Sequence, residues 1–251
     1  MQKISEIKEA LAACTIEQLP ELMSIYESDE RNGVQVLLQK AQRRIQTLEA
    51  EKERIESLKV FEKQYDMYSY ICGIDEAGRG PFAGPVCAGA VILPKDSQLL
   101  YLNDSKKLSE KKREELFDQI KDYAVSYGIG FASPERIDEI NILQATYEAM
   151  RDAVSQLSPQ PDLLLNDAVT IPKLPMKQVP IVHGDARSVS IAAASILAKV
   201  TRDRLMRQYD EVYPEYGFAG NKGYGTADHI AAIRKYGPTP IHRRSFIHDY
   251  I

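Results

Sequence analysis

The hydrophobic pattern of the chain changes its period near Tyr70. From Asn32 to about Tyr68 there is no proline and Gly33 is the only glycine, and apolar residues recur at helical spacing among Glu, Lys, Gln and Arg. This pattern predicts one long amphipathic helix. After Tyr70 the chain instead shows short apolar runs of strand length, separated by turn residues. The chain therefore divides into a helical N-terminal part and a part that contains a β-sheet.

The predicted long helix carries an apolar stripe. Its members repeat every seven residues and are Val34, Ala41, Leu48 and Ile55. The repeat fails at Lys52 and Lys59, and the segments ISEIKEAL and IEQLPELMSIY predict two short helices before it. We expect the stripe to pack on these short helices as a helical hairpin, with a dimerising coiled coil as the alternative. Residues 1–68 contain no candidate catalytic residue.

The part after Tyr70 reads as alternating strands and helices. The predicted strands are YICGID, PVCAGAVIL, VSYGIGF, DLLLND and QVPIVH. Ser133-Pro134 supplies an N-cap and a first-turn proline for a helix, and the sequence from Ala186 is mostly helical apart from a glycine-rich loop at Gly217 to Thr226. We expect an α/β fold in which helices flank a mixed sheet of about five strands, with a helical C-terminal part.

Composition excludes several classes of protein. The 251 residues are 44% hydrophobic and 27% charged, which is typical of a folded domain, and the net charge of −4 creates no general basic field. No apolar run is long enough to span a membrane, and the first residues do not resemble a secretory signal, so we expect a cytoplasmic protein. The cysteines, Cys14, Cys72 and Cys87, form no CxxC pair and are expected to be buried thiols.

Acidic residues fall at the ends of three predicted strands. Asp75 and Glu76 end the first strand, Asp167 ends the fourth, and Asp185 follows the fifth directly before a helix. Strand ends in an open α/β sheet line the crevice where ligands bind, so these acids are expected to converge. Carboxylates without His or Cys favour Mg²⁺ or Mn²⁺ over Zn²⁺, and a pair of such metals supports phosphodiester cleavage.

Each acid also has a purely structural interpretation. Asp185 could be a helix N-cap, and Asp167 could begin a turn. Successive side chains of a strand point to opposite faces, so Asp75 and Glu76 can share a site only if the strand ends there. The turn that follows contains Gly78-Arg79-Gly80, which is either a simple tight turn or a close-approach loop whose arginine binds phosphate.

Four ordered segments resemble one known family. They are GIDEAGRGPFAGPV, NDSKKLS, GDARSVSIAAASILAKVTRD and GNKGYGT, and the match spans about residues 70–246. They closely resemble the type 2 ribonucleases H, or ribonuclease HII, in the form with an N-terminal helical extension. The resemblance implies a ribonuclease H-like fold and an endonuclease that cuts RNA in RNA/DNA hybrids and 5′ of single ribonucleotides in duplex DNA. It implies 3′-hydroxyl and 5′-phosphate ends, a two-metal site for Mg²⁺ or Mn²⁺, and a role in ribonucleotide excision repair.

The resemblance also assigns roles to individual residues. The family's metal-site acids match Asp75, Glu76, Asp167 and Asp185, the same four strand-end acids. Its glycine-arginine-glycine loop matches Gly78, Arg79 and Gly80, whose backbone is implied to contact the 2′-hydroxyl. Its junction-sensing tyrosine matches Tyr224, which would stack next to the ribonucleotide; the alternative is an aromatic residue that only caps the core.

Local charge suggests where a duplex could bind. Lys199 to Arg244 contains nine basic and five acidic residues, and Asp104 to Arg113 contains five basic and two acidic residues. The candidate phosphate contacts are Lys106, Lys107, Lys199, Arg202 and Lys222. Three serines could also donate to phosphate oxygens, namely Ser105, Ser190 and Ser195, although small residues in SIAAASILA equally suit close helix packing.

We expect a helical extension at residues 1–68 and a catalytic domain at residues 69–251, and we expect a fragment that begins at about Met67 to fold and cleave. Alternative functions are a type 3 ribonuclease H, which should lack the Gly-Arg-Gly loop, and a non-catalytic hybrid-binding protein, which should lack one of the acids. A third is an accessory protein that acts through the N-terminal helices or the tail SFIHDYI. The sequence names no protein partner.

Overall fold

The computed structural model describes residues 2–251, which form two compact units. The first extends to Glu56 and the second runs from Ser57 to Ile251. The predicted boundary between residues 68 and 69 stays a prediction, because compactness is not a test of independent folding.

The first unit consists of three helices around a small apolar core. They are α1 (Ile4–Ala13), α2 (Leu19–Ser24) and α3 (Asn32–Ser57). The buried members of the core come from all three helices and are Ile7, Leu11, Leu19, Val34 and Ala41. Positions of the predicted stripe thus pack on the two short helices, as the hairpin interpretation requires.

The long helix ends earlier than the sequence pattern predicts. α3 stops at Ser57, and a separate short helix, α4 (Val60–Gln64), follows, so the expectation of one helix to Tyr68 is wrong. The aromatic side chains after the break, Phe61 and Tyr65, pack against the cluster of buried residues on the sheet, together with Tyr68. Burial of these rings on the sheet favours a break in the helix after Ser57 over a continuous exposed helix to Tyr68.

The second unit contains a mixed sheet flanked by helices. Its strands are β1 (Ile71–Ala77), β2 (Val86–Ile92), β3 (Ser126–Ala132), β4 (Leu163–Asp167) and β5 (Lys177–Ile181). Its further helices are α5 (Glu110–Tyr123), α6 (Pro134–Ser155), α7 (Val189–Val212), α8 (Phe218–Asn221), α9 (Ala227–Tyr236) and α10 (Arg244–Ile247). The strand order is β3-β2-β1-β4-β5, with β1, β4 and β5 parallel and β2 antiparallel to both neighbours. The predicted α/β fold with five strands is confirmed.

Helix α7 lies directly on the centre of the sheet. A Cβ atom at Gly73 of β1 would lie 2.0 Å from the carbonyl carbon of Ser190, and one at Gly89 of β2 would lie 2.4 Å from Ala194 O. Only glycine permits this approach, and the small residues of α7 complete it. The contact explains why Ser190 is buried, which favours its packing role over a contact with phosphate.

The N-terminus of α7 is fixed by two side chains. Ser188 Oγ accepts the Ile191 N–H at 3.2 Å, which makes Ser188 the N-cap. Glu62 Oε1 accepts the hydroxyl of Ser188 at 2.6 Å and the N–H of Ser190 at 3.1 Å. A carboxylate at a helix N-terminus also interacts favourably with the helix dipole. The segment after Ser57 is therefore part of the support of α7.

Two other sequence expectations can be compared with the structure. Cys72 and Cys87 are buried free thiols, whereas Cys14 is only half-buried, so the expectation of buried thiols holds for two of the three cysteines. Among residues 2–251 no helix has the length and apolar character that crossing a membrane requires.

The support of α7 predicts different stabilities for two truncated proteins. A fragment of residues 57–251 keeps Glu62, Phe61 and Tyr65, and a fragment of residues 67–251 loses all three. We expect the shorter fragment to be less stable by about 2 kcal/mol or more, from the lost Glu62 hydrogen bonds at the start of α7 and two lost aromatic contacts. Urea unfolding of both fragments measures the difference. Equal stabilities would show that the segment from Ser57 to Asp66 contributes nothing to the fold.

Candidate active site

Strand β1 carries the first two acids to the edge of a cavity. The pairing of β1 with β4 ends at Ile74, but its pairing with β2 continues through Ala77. The expectation that the strand ends at Asp75 and Glu76 is therefore wrong, and yet both side chains line the same cavity. Asp75 Oδ1 accepts the main-chain N–H of the next residue, Glu76, at 2.7 Å. Loss of the β4 neighbour on one side leaves the room for this arrangement.

The third acid, Asp167, is hydrogen-bonded to the turn that carries the fourth, Asp185. Asp167 ends β4, and its Oδ1 accepts the N–H of Gly184 at 2.7 Å. Gly184 begins a 3-10 turn, Gly184–Ala186, which contains Asp185 and precedes α7. Because Ser188 caps α7, the N-cap interpretation of Asp185 is wrong. Asp167 likewise does more than begin a turn, since its carboxylate holds the turn that carries Asp185.

Eleven of the predicted site residues line one cavity of about 380 Å³. The predicted acids in its wall are Asp75, Glu76, Asp167 and Asp185, and the predicted substrate-binding residues are Gly78, Arg79, Gly80, Ser105, Lys106, Lys199 and Tyr224. Ala77, Ser195 and Arg202 complete the lining. The structure thus brings together residues that lie as far apart in sequence as Asp75 and Tyr224.

Burial and mutual repulsion raise the pKa of three of the acids. The pKa of Asp75 lies well above its ordinary value because the group is desolvated and faces Glu76 and Asp167. Desolvation also raises the pKa of Glu76, with Arg79 opposing and Asp167 reinforcing the shift. The pKa of Asp185 rises through desolvation and through the negative charges of Asp104 and Asp167, with Lys106 opposing the rise.

The donor set fits a hard divalent cation. The cavity wall supplies carboxylate oxygens and no His or Cys. Each carboxylate makes ionisation of its neighbours less favourable, and a bound cation would offset this repulsion. In the described residues 2–251, no three His, Cys, Asp or Glu side chains are already gathered closely enough to hold a metal. Repulsion opposes such a gathering, since two unit charges 4 Å apart cost about 4 kcal/mol at an effective dielectric constant of 20.

The basic residues of the site differ in their availability. Lys106 is exposed at the cavity, whereas Lys199 is half-buried and its Nζ lies 2.9 Å from Asp203 Oδ1. Arg79 Nη1 lies 3.4 Å from Glu76 Oε1, at the mouth of the site. Ser195 Oγ and Ser105 Oγ are hydrogen-bonded at 2.9 Å, and the Ser195 hydroxyl also opposes the rise in the pKa of Asp75.

Three of the proposed phosphate contacts do not fit that role as expected. Arg202 is only 1% exposed and donates to main-chain carbonyls, so the expectation that it contacts phosphate is wrong. Lys107 is exposed but is not part of the cavity wall. Lys222 donates its Nζ to Ala219 O and is also outside the wall.

Tyr224 is held by a buried pair of histidines that the sequence reasoning missed. Thr239 donates its main-chain N–H to His242 Nδ1 at 3.0 Å, so His242 carries its proton on Nε2 and donates to His229 Nε2 at 3.0 Å. His229 then donates from Nδ1 to Tyr224 O at 2.8 Å. The chain of bonds requires both rings to be neutral. Nothing in the sequence pattern pairs these two histidines, which only the fold brings together.

Comparisons with known proteins identify the family of the chain. A family model described as ribonuclease HII matches residues 72–249, and one described as ribonuclease HII N-terminal domain matches residues 3–66. The chain belongs to the ribonuclease HII family. Ribonuclease HII of Lachnoclostridium phytofermentans is 61% identical over 245 residues, covering 98% of this chain and 96% of that protein. Ribonuclease HII of Clostridioides difficile is 53% identical over 252 residues, covering 100% and 99%.

Solved structures extend the comparison to the fold. Ribonuclease H2 from Pyrococcus horikoshii aligns with a TM-score of 0.61 and 28% identity, covering 72% of this chain and 96% of that one. A ribonuclease HIII from Aquifex aeolicus aligns with a TM-score of 0.54 at 17% identity, covering 75% and 77%, and shows a shared fold alone. Ribonuclease HII is an endonuclease that cleaves RNA in RNA/DNA hybrids and ribonucleotides in DNA, and it depends on a metal ion.

The histidine pair predicts a pH-dependent stability. Burial, with the neighbouring His229 second, lowers the pKa of His242 from its ordinary 6.5 to about 4. Between pH 6.5 and about pH 4, His242 is protonated in the unfolded chain but stays neutral in the folded chain. The free energy of unfolding therefore falls as the pH falls. We expect the free energy of unfolding to drop by about 2 kcal/mol from about pH 7 to pH 5 because of His242.

Urea unfolding of three proteins separates this contribution from that of the carboxylates. His242→Gln should show a flatter pH dependence than the wild type, whereas His248→Gln, which changes an exposed ring, should keep the wild-type slope. Identical slopes in all three proteins would exclude the histidine pair as the cause.

Proposed function

We propose that this chain cuts RNA strands of RNA/DNA hybrids and the 5′ side of single ribonucleotides in duplex DNA, leaving 3′-hydroxyl and 5′-phosphate ends. The observation that carries the proposal is the single cavity whose wall combines four carboxylates with the Gly78–Gly80 loop and Tyr224. Carboxylates alone would support many hydrolases. Their combination with a sugar-reading loop supports a nuclease that distinguishes ribose from deoxyribose.

In this proposal the four acids form the metal site. Asp75 and Asp185 help to bind the metal that activates the attacking water, and Asp167 and Glu76 complete the ligand set for Mg²⁺ or Mn²⁺. Such a pair of cations supplies an activated water and offsets charge on the phosphate. The Asp167 bond to Gly184 keeps Asp185 at the cavity, and the Asp75 bond to the Glu76 N–H orients Asp75. No side chain of the site needs to act as a general base.

In this proposal the substrate is held by the Gly78–Gly80 loop and Tyr224, which line the same cavity. The N–H groups of the Gly78–Gly80 loop face the 2′-hydroxyl, and the ring of Tyr224, which is 47% exposed, stacks on the adjoining sugar or base. A Cβ at Gly80 would lie 3.7 Å from Tyr224 Cε1, so loop and ring border the same space. Lys106 and Lys199 provide positive charge for the phosphates without reading the sequence.

Two alternatives are less well supported. A type 3 ribonuclease H shares the fold but should lack the Gly78-Arg79-Gly80 loop, which this chain has. A non-catalytic hybrid-binding protein should lack one of the acids, and all four are present at the cavity. Binding partners other than nucleic acid, and the cytoplasmic location expected from the sequence, stay predictions.

The metal-site assignment predicts the effect of removing one charge. Asp75→Asn and Asp185→Asn keep the side-chain shape but remove a charge that would attract the cation. We expect kcat to fall by about a hundredfold or more while binding of the duplex persists. Cleavage of a duplex with one ribonucleotide, mapped to the nucleotide in Mg²⁺ and in Mn²⁺, is the measurement.

Asp203→Asn is the matched control, because Asp203 pairs with Lys199 and is not part of the cavity wall. It should leave metal-dependent cleavage far less affected. Near wild-type cleavage by Asp75→Asn at saturating Mg²⁺ would refute the metal-site assignment.

The role of Tyr224 predicts a difference between substrates. Tyr224→Phe removes one hydroxyl and should cost about 0.5–1.5 kcal/mol of transition-state stabilisation. Tyr224→Ala also removes the stacking ring, which is worth a further ~1–3 kcal/mol. Both losses in kcat/KM should be larger on a duplex with one ribonucleotide than on a uniform hybrid, where many positions offer a 2′-hydroxyl. Equal losses on the two substrates would mean that Tyr224 only supports its loop.

A further inference from the structure

Two buried arginines contact the Gly78–Gly80 loop, which is the proposed sugar-reading loop. Arg202 of α7 is 1% exposed, and Arg243, directly before α10, is fully buried. Among residues 2–251, every hydrogen bond from either guanidinium ends on a main-chain carbonyl oxygen and none on a carboxylate. A buried charge without a counter-charge is costly, so its retention calls for a specific reason.

Arg243 donates hydrogen bonds directly to the main chain of the Gly78–Gly80 loop. Its Nη2 donates to Gly78 O at 2.6 Å and its Nη1 to Arg79 O at 2.8 Å, while Nε donates to Gly84 O at 2.9 Å. The planar fork of a guanidinium suits such neighbouring acceptors, and an ammonium group does not reproduce it. Three carbonyls of one loop are thereby drawn toward a single side chain.

The carbonyl bonds determine where the amides of the loop point. In a trans peptide the C=O and the following N–H point in opposite directions. With Gly78 O and Arg79 O turned toward Arg243, the N–H groups of Arg79 and Gly80 point away from it. Neither N–H donates to another group in the described chain, residues 2–251. These two donors are therefore available at the cavity, where both residues form part of the wall.

Arg202 joins this loop to the loop of Tyr224. Its Nε and Nη2 donate to Pro85 O at 2.9 Å and Ala83 O at 3.0 Å, and its Nη1 donates to Lys222 O at 2.9 Å. Gly78, with φ +91°, lies so close that a Cβ there would be 2.0 Å from Arg202 Nε. The N–H of Phe82 adds a direct bond to Gly223 O at 2.8 Å.

We propose that Arg243 and Arg202 are positioning residues for sugar discrimination. Arg243 orients the free amides of Arg79 and Gly80, and Arg202 fixes the spacing between that loop and Tyr224. Neither arginine touches the substrate. This inference rests on the proposed function and deepens it, because it names what holds the 2′-hydroxyl donors and the stacking ring in one fixed arrangement.

The test uses conservative variants of the full-length protein, each with an exposed neighbour as control. Arg243→Lys is compared with Arg244→Lys, and Arg202→Lys with Arg204→Lys, whose side chain is exposed and pairs with Glu114. Circular dichroism and thermal unfolding establish that each protein is folded. The kinetic readout is kcat/KM on a duplex with one ribonucleotide and on a uniform RNA/DNA hybrid, with binding to an all-DNA duplex of the same sequence.

We expect Arg243→Lys to lose about tenfold or more in kcat/KM on the single-ribonucleotide duplex, as for one or two lost hydrogen bonds, and less on the hybrid. Binding to all-DNA duplex should stay within about twofold, since the phosphate contacts lie elsewhere, and both controls should match the wild type. A loss by the same factor on both substrates, or a lower melting temperature with an unchanged substrate ratio, would overturn the proposal.

A double-mutant cycle tests the link through Arg202. If Arg202 acts through the Tyr224 loop, the combined loss in Arg202→Lys/Tyr224→Ala should be smaller than the product of the single losses. Independent losses would overturn this part. If neither arginine variant folds, the two residues serve folding alone and the proposal is wrong. A wild-type protein that cuts hybrid but not the single-ribonucleotide duplex would instead refute the proposed function.

Discussion

Repulsion among Asp75, Glu76, Asp167 and Asp185 is the interaction on which the site depends. Three of these groups have a raised pKa, with burial as the first cause and neighbouring carboxylates as a further cause. The fold offsets this repulsion only in part. It supplies N–H donors from Glu76 and Gly184 and the nearby cations Arg79 and Lys106, but within residues 2–251 no ion pair neutralises Asp75. The cost that remains is what makes the cavity attractive to a divalent cation.

The topology of the sheet explains why these acids meet. β1 lies at the centre with an antiparallel neighbour on one side and a parallel neighbour on the other. Because β1 and β4 run in the same direction, their carboxyl ends reach the same edge, and Asp75 and Asp167 arrive together. Asp167, the last residue of β4, pairs in register with Ile181, the last residue of β5. The turn that carries Asp185 therefore begins at the same edge.

The fold and the four acids could be read from the sequence because both are encoded locally. Strand runs, turn residues and acids at strand ends are patterns within a few positions. The break after Ser57 could not be read this way, since Phe61 and Tyr65 look equally suited to a helix until the sheet is present to cover them. The same holds for Asn166, a polar residue in a buried strand, whose amide donates to Gln178 on β5.

Long-range polar contacts were the least predictable part. Local charge marks Arg202 as a candidate phosphate contact and does not single out Arg243. The distinction between a phosphate ligand and a buried positioning residue depends on carbonyls more than a hundred positions away. Local charge counts cannot detect such partners. Asp104 was missed for a similar reason, because its effect on Asp185 arises only once two loops are brought together.

Helix α7 connects the chemistry of the site with its recognition of substrate. Ser195, Lys199 and Arg202 follow one another at helical spacing, so one face of α7 points toward the cavity and its loops. Gly73 and Gly89 let this helix rest on the backbone of β1 and β2, which fixes its rotation with little freedom. Asp75 lies in β1, and Gly78 follows the last residue of that strand. A shift of either element would therefore move the carboxylates and the Gly78–Gly80 loop together, which is why the cavity needs a rigid sheet beneath both.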